Sequence, residues 1–236
     1  MPGAFADRVV VVTGASRGIG NALARALGAE GAHVIAVGRT TGALEALDDA
    51  IRAKGGKATL VPVDLTDYAA IDRLGAALFQ RHQRLDAVVG NAGVLGELTP
   101  VGHIDPKMWD EVMAVNLTVN WRLIRSFDPL LRLAPAGRAV FVTASVARQP
   151  RPFWGAYAAS KAALEAIAAA YAEEIRDTPV RVNLFDPGAT RTRMRAKAMP
   201  GEDPATLPTP EKVAAAILPM LLPDWTENGR LVKYRD

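Results

Sequence analysis

The sequence contains no cysteine, which excludes disulfide scaffolds, cysteine metal sites and thiol nucleophiles. Histidine is nearly as scarce. His33, His82 and His103 lie far apart without metal-ligand spacing, and each reads as an ordinary surface or loop residue. No metal site is expected. No apolar stretch approaches the roughly 20 residues needed to span a bilayer. The opening Met1-Pro2-Gly3-Ala4-Phe5-Ala6-Asp7 lacks the basic start and apolar run of a signal peptide. The expectation is a cytoplasmic protein with no membrane span. Strong charge is also missing. A net charge of +3 is too small and too dispersed to argue for nucleic-acid binding. Of the 28 basic residues only seven are lysine.

Half of the 236 residues are hydrophobic, enough to build a sizeable core. Short apolar runs of strand type alternate with helical patterns. Strands are expected at Arg8–Thr13, His33–Val37, Ala58–Val63, Asp86–Val89, Arg138–Val142, Val180–Phe185 and Arg230–Lys233. Helices are expected at Gly18–Glu30, Leu44–Lys54, Ile71–His82, Gly155–Ile175 and Pro210–Leu222, with one long helix over Pro106–Leu133 bent near Pro129. Continuous apolar strands are buried on both faces, and strand–helix alternation implies right-handed crossovers between parallel strands. The fold class is α/β: a single doubly wound domain over residues 1–236, with a mainly parallel seven-stranded sheet and helices on both faces.

Thr13-Gly14-Ala15-Ser16-Arg17-Gly18-Ile19-Gly20 joins the first strand to the first helix. Gly14, Gly18 and Gly20 allow a tight turn and close approach to a pyrophosphate, and the helix N-terminus offers free N–H groups to an anion. Alternatively, the glycines serve only close packing of helix on sheet. The Gly-x3-Gly-x-Gly spacing resembles that of the short-chain dehydrogenase/reductase family, whose fold is of the Rossmann type.

A fold of this kind that prefers NAD carries an acid after its second strand, to bind the ribose 2′-hydroxyl. Here that strand ends Ala36-Val37-Gly38-Arg39. Arg39, with Arg17 inside the turn, suits a 2′-phosphate through charge-assisted hydrogen bonds. NADP(H) is therefore expected over NAD(H). The bland alternative is two solvated surface arginines.

Tyr157 and Lys161 are four residues apart early in an Ala-rich helix and so share a face. A free phenol, with a pKa near 10, is poorly matched to proton transfer near neutrality, and a nearby cation is expected to lower that value. Ser145 falls at the end of the fifth strand, where ligands of open α/β sheets bind, and its hydroxyl suits a developing oxyanion. Asn116 sits mid-helix, where asparagine is a poor fit, and such a break in local rules hints at function.

These motifs fall in the family's order along nearly the whole chain. The resemblance implies further roles. Asp64 and Leu65 would contact the adenine, although Asp64 also reads as a cap for a helix starting near Thr66 or Asp67. Asn91-Ala92-Gly93 would approach the cofactor ribose. Asn116 would hold a water linking Lys161 to solvent. Pro187, Gly188, Thr190 and Thr192 would fix the nicotinamide, and Lys161 its ribose. The implied reaction interconverts a carbonyl and a secondary alcohol by hydride transfer, with Tyr157 as general acid/base.

Residues 189–210 correspond to the family's substrate flap. Arg191, Arg193, Arg195 and Lys197 lie there with no acid until Glu202. They read either as a solvated helix face or as a basic handle for an acyl thioester or carrier-bound substrate. The Gly188-to-Arg195 run and the short polar C-terminus are similar to a bacterial subgroup labelled oxoacyl-carrier-protein-reductase-like. That terminus puts a tetramer in doubt and leaves a homodimer through the two long helices. Two rival readings are a catalytically silent dinucleotide sensor or scaffold, and an epimerase or dehydratase on the same fold.

Overall fold

All five residues of β1 (Val9–Thr13) are buried, as β-branched side chains covered on both faces should be. β1 is an interior strand of the sheet. The computed structural model describes residues 3–235 and joins β1 to β2 (His33–Gly38), β3 (Lys57–Pro62), β4 (Ala87–Gly90), β5 (Arg138–Val142), β6 (Arg181–Asp186) and β7 (Leu231–Lys233). Their order is β3-β2-β1-β4-β5-β6-β7, and every neighbouring pair is parallel. The sequence reading of a mainly parallel sheet is thus sharpened to a wholly parallel one. Met1, Pro2 and Asp236, which belong to the terminal segments read from sequence, lie outside the described residues.

Two cores cover the sheet, one on each face. The first packs β1 and β2 against α1 (Gly18–Ala29), α2 (Thr41–Arg52) and α8 (Pro210–Ile217). The second packs them against α3 (Tyr68–His82), α5 (Val119–Arg132) and α6 (Gly155–Glu174). Strand order reverses between β1 and β4, which opens a crevice at their carboxyl ends. Among the described residues no helix is long and apolar enough to cross a membrane.

The long helix expected over Pro106–Leu133 is in fact divided. α4 (Pro106–Met113) and α5 flank a π-helical turn at Ala114–Thr118. The break falls at Asn116, not at Pro129, which sits inside α5 on its exposed side. There the carbonyl that proline leaves without a partner can reach water. At the π turn, the Asn116 carbonyl accepts from Asn120 Nδ2 at 2.8 Å. A short α7 (Arg193–Ala198) forms in the segment after β6, where the sequence offers a helix face as one of two readings. α8 is shorter than expected and ends in a 3-10 turn at Leu218–Leu221.

Candidate active site

The turn after β1 is shaped by what cannot fit in it. Gly14 has φ +67°, and a Cβ on Gly20 would lie 2.5 Å from both Asn91 Nδ2 and the Gly14 carbonyl oxygen. Asn91 follows β4, and its Nδ2 donates to the Thr13 carbonyl at 2.9 Å. The Thr13 hydroxyl accepts from the backbone N–H groups of Asn91 and Ala92, both at 3.0 Å, and donates to the Val89 carbonyl. One buried hydroxyl therefore fixes the two loops that the motifs occupy. Sequence reasoning missed Thr13. Its only signal was a polar residue closing an apolar strand.

α1 begins at Gly18 with Arg17 as an exposed N-cap. No side chain caps its first N–H groups, and no acid lies in the first turn. Ser16 packs close to Gly38, and Ile19 leans on the core below. Arg39 follows β2 and is exposed, 3.8 Å from Asp64. Asp64 does not cap α3; Asp67 does, accepting from Ala70 N–H. Asp64 instead accepts from the N–H and hydroxyl of Thr66, and these bonds hold its carboxyl below the usual range. Leu65 is buried against α3.

Tyr157 and Lys161 lie on the buried side of α6. Lys161 Nζ donates to the Val142 carbonyl at 2.8 Å and stands 5.7 Å from the centre of the Tyr157 ring. Burial lowers the lysine to about 8, against a smaller opposing pull from Glu165. The expectation for the phenol is reversed. Burial raises Tyr157 above its ordinary value, and the Asp186 carboxylate pushes the same way. Here desolvation outweighs the neighbouring cation, because the ammonium lies over the ring and bonds to a carbonyl.

Asn116 is fully buried and reaches the same place from the π turn. Its Oδ1 accepts from Val94 N–H at 2.8 Å, and its Nδ2 donates to the Val94 carbonyl and to Ser160 Oγ. Gly93 lets them meet: a Cβ there would lie 3.2 Å from Asn116 Oδ1 and 3.7 Å from Lys161 Nζ. Ser145 lies past the end of β5, on a 3-10 turn at Ser145–Ala147. Beyond β6, Gly188 has φ +62° and Thr190 Oγ1 donates to the Pro187 carbonyl. Thr192 caps α7, with its methyl 3.5 Å from where a Cβ on Gly18 would be. The sheet thus gathers the glycine turn, the Tyr–Lys pair, Asn116 and the Pro187–Gly188 turn at one end of its strands.

The sequence profile described as short chain dehydrogenase matches residues 8–203. The chain belongs to the short-chain dehydrogenase family. The Escherichia coli K12 oxidoreductase YciK is 40% identical over 219 residues, 92% of this chain and 85% of its own. A short-chain dehydrogenase from Shigella flexneri 2a, solved in complex with NADP, is 35% identical with a TM-score of 0.94, covering 99% of both chains. An oxidoreductase of Mycobacterium tuberculosis, described as NAD-dependent, is 35% identical over 206 residues, 81% of this chain and 74% of its own. Family membership alone therefore does not decide the cofactor.

This short-chain dehydrogenase has further site groups that the sequence did not announce. Arg148, three residues after Ser145, bridges Glu165 on α6 and Asp186 at the end of β6. Glu165 also accepts from Thr143 at 2.6 Å, and Asp186 accepts from Gly188 N–H at 3.1 Å. A cleft of about 330 Å³ opens on the β7 side of Ser145, bounded by Arg148, Asp186, Lys233 and Tyr234. Tyr157 is not part of its wall and belongs instead to an apolar cluster.

Proposed function

We propose that this chain interconverts a carbonyl and a secondary alcohol using NADP(H), with Tyr157 as the general acid/base. The observation that carries the reading is the buried pair: Tyr157 beside Lys161, at the end of β5 and next to Gly93. The turn fits a dinucleotide. Gly14 and Gly20 leave no room for a Cβ, Gly18 takes φ +58°, and the N-cap side chain of α1 makes no capping bond. Gly14, Ser16, Gly18, Ile19 and Gly20 would hold the pyrophosphate, and Asp64, Leu65, Asn91, Ala92 and Gly93 the adenosine half and ribose. Exposed Arg17 and Arg39, with no acid at the end of β2, favour the 2′-phosphate of NADP(H). Pro187, Gly188, Thr190 and Thr192 would seat the nicotinamide.

Bound NADPH supplies the hydride. Burial keeps the Tyr157 hydroxyl protonated, ready to give its proton to the carbonyl oxygen. Ser145 Oγ donates a hydrogen bond to that oxygen as charge develops. Lys161 and Asn116 hold the proton path behind Tyr157. We also place the protein in the cytoplasm as a homodimer, a pairing supported by Trp109 and Trp121, which α4 and α5 expose.

The test is Tyr157→Phe. kcat should fall at least about 100-fold, the usual worth of a positioned acid or base. Kd for NADPH should stay within about two-fold of wild type. Full turnover by the variant would overturn the reading.

A further inference from the structure

Besides the two cores on the sheet faces, a third apolar cluster lies above the strand ends and includes Tyr157. The loop after β4 contributes Leu95 and Leu98, and the segment before α6 contributes Val146 and Trp154. Trp154 packs edge-on to the Tyr157 ring at 6.0 Å. α7 contributes Met194 and Ala198 to the cluster, and Met199 follows just beyond the helix.

The cations of α7 are directed elsewhere. Met194 and Ala198 are four residues apart and share a helix face, so Arg193, Arg195 and Lys197 fall on its flanks. Arg195 is bonded to Glu202 through two nitrogens, at 2.5 and 2.6 Å. Lys197 Nζ donates to the Gly96 carbonyl at 3.0 Å, tying α7 to the loop after β4. The run that looks basic in sequence therefore places Met194 against the cluster that contains Tyr157, while two of its four cations, Arg195 and Lys197, hold the segment in place.

We propose that the substrate is an uncharged ketone or secondary alcohol with apolar, aryl-sized substituents, held against Tyr157 by Leu95, Val146, Trp154 and Met194; this rests on the reaction proposed above. Flat rings suit a wall of thioether and indole groups. A carboxylate entering that wall loses its hydration without gaining a partner. An acyl thioester or carrier-bound substrate would bring its anionic handle to a flap whose Arg195 and Lys197 are already engaged.

The experiment compares kcat/KM at saturating NADPH for an aryl alkyl ketone, its para-carboxylate and an oxoacyl-CoA thioester. The plain ketone should exceed both others by at least about 100-fold, the order of an unpaired buried charge. Met194→Lys should cut kcat/KM for the plain ketone by about ten-fold or more while Kd for NADPH, read by fluorescence, stays unchanged; an unchanged kcat/KM overturns the contact with Met194. Tight NADPH binding with preferred turnover of the carboxylate or thioester overturns the substrate class and leaves the reaction standing. Such an outcome moves the handle to the cleft beside Lys233. Loss of NADPH binding in the wild-type protein overturns both.

Discussion

Arg148 donates through one terminal nitrogen to the Asp186 carboxylate and through the other to Glu165. One guanidinium thereby ties the Ser145 turn to α6 and to the Pro187–Gly188 turn. Both carboxylates are largely buried, so removing the cation leaves them without their partner. Arg148→Met should cost about 3 kcal/mol of stability by chemical denaturation, and Arg148→Lys should recover part of it. A readout closer to the chemistry is the pH profile. Asp186 pushes Tyr157 up, and Lys161 is the cation facing the same ring. Alcohol oxidation needs the phenolate, so its rate rises with pH through that group's pKa. The pH of half-maximal oxidation should move up in Arg148→Met and down in Asp186→Asn. Shifts of the same sign in both variants would mean that packing alone is at work.

Lys161 is held near 8 by burial, below its ordinary 10.5. A lysine depressed in the folded state binds fewer protons there than in the unfolded chain between those two values. The folded protein therefore gains stability as pH rises from about 8 to about 10.5, and the burial cost is fully present below pH 8. Lys161→Met should lose turnover yet match or exceed wild-type stability at pH 7, offset by the hydrogen bond lost to Val142. The stability difference should move toward wild type across pH 8 to 10.5. A flat difference across that window would show that the lysine titrates normally.

Gly20→Ala places a methyl within 2.5 Å of Asn91 Nδ2 and of the Gly14 carbonyl. Neither is a flexible chain end, because Asn91 is held to Thr13 at 2.9 Å. Expected is a loss of about 1–3 kcal/mol in stability and a weaker Kd for NADPH. Calorimetry and fluorescence titration check the two effects separately.

Arg39→Asp supplies the acid that the end of β2 lacks and places it beside Asp64. NADPH affinity should fall about 10- to 100-fold, the worth of a charged hydrogen bond, while NADH affinity holds or improves. Equal Kd values for NADPH and NADH in the wild-type protein would remove Arg39 from the cofactor site.

Strands were legible wherever burial on both faces wrote itself as a β-branched run; β5 is found at Arg138–Val142 as read. The glycine turn and the Tyr157–Lys161 spacing were legible because each is local. The division at Asn116 was half legible. The misfit residue was noticed, but the bend was assigned to Pro129, since a π turn leaves no simple period in the sequence. Ser145 reads as ending β5, yet two residues, Thr143 and Ala144, separate it from Val142. Arg148, Glu165 and Asp186 could not be grouped at all, because only the β5–β6 pairing and the packing of mid-α6 bring them together. Two of the cations after β6, Lys197 and Arg195, gave no sign of their contacts for the same reason. Their partners, Gly96 and Glu202, are set by tertiary contact.

The π turn at Ala114–Thr118 carries a consequence for chain length. A π turn accommodates one residue beyond an α-helical register. Deleting any one of these five other than Asn116 would let α4 and α5 merge into a single regular helix. α4 would then rotate by about 100° relative to α5, the angle per helical residue. Asn116, now bonded to Val94 and Ser160, would swing out of register with both. A shortened sequence could keep every glycine, serine, tyrosine and lysine of the motifs and still lose this end of the site. Here the architecture is recorded in how many residues there are, independently of which ones they are.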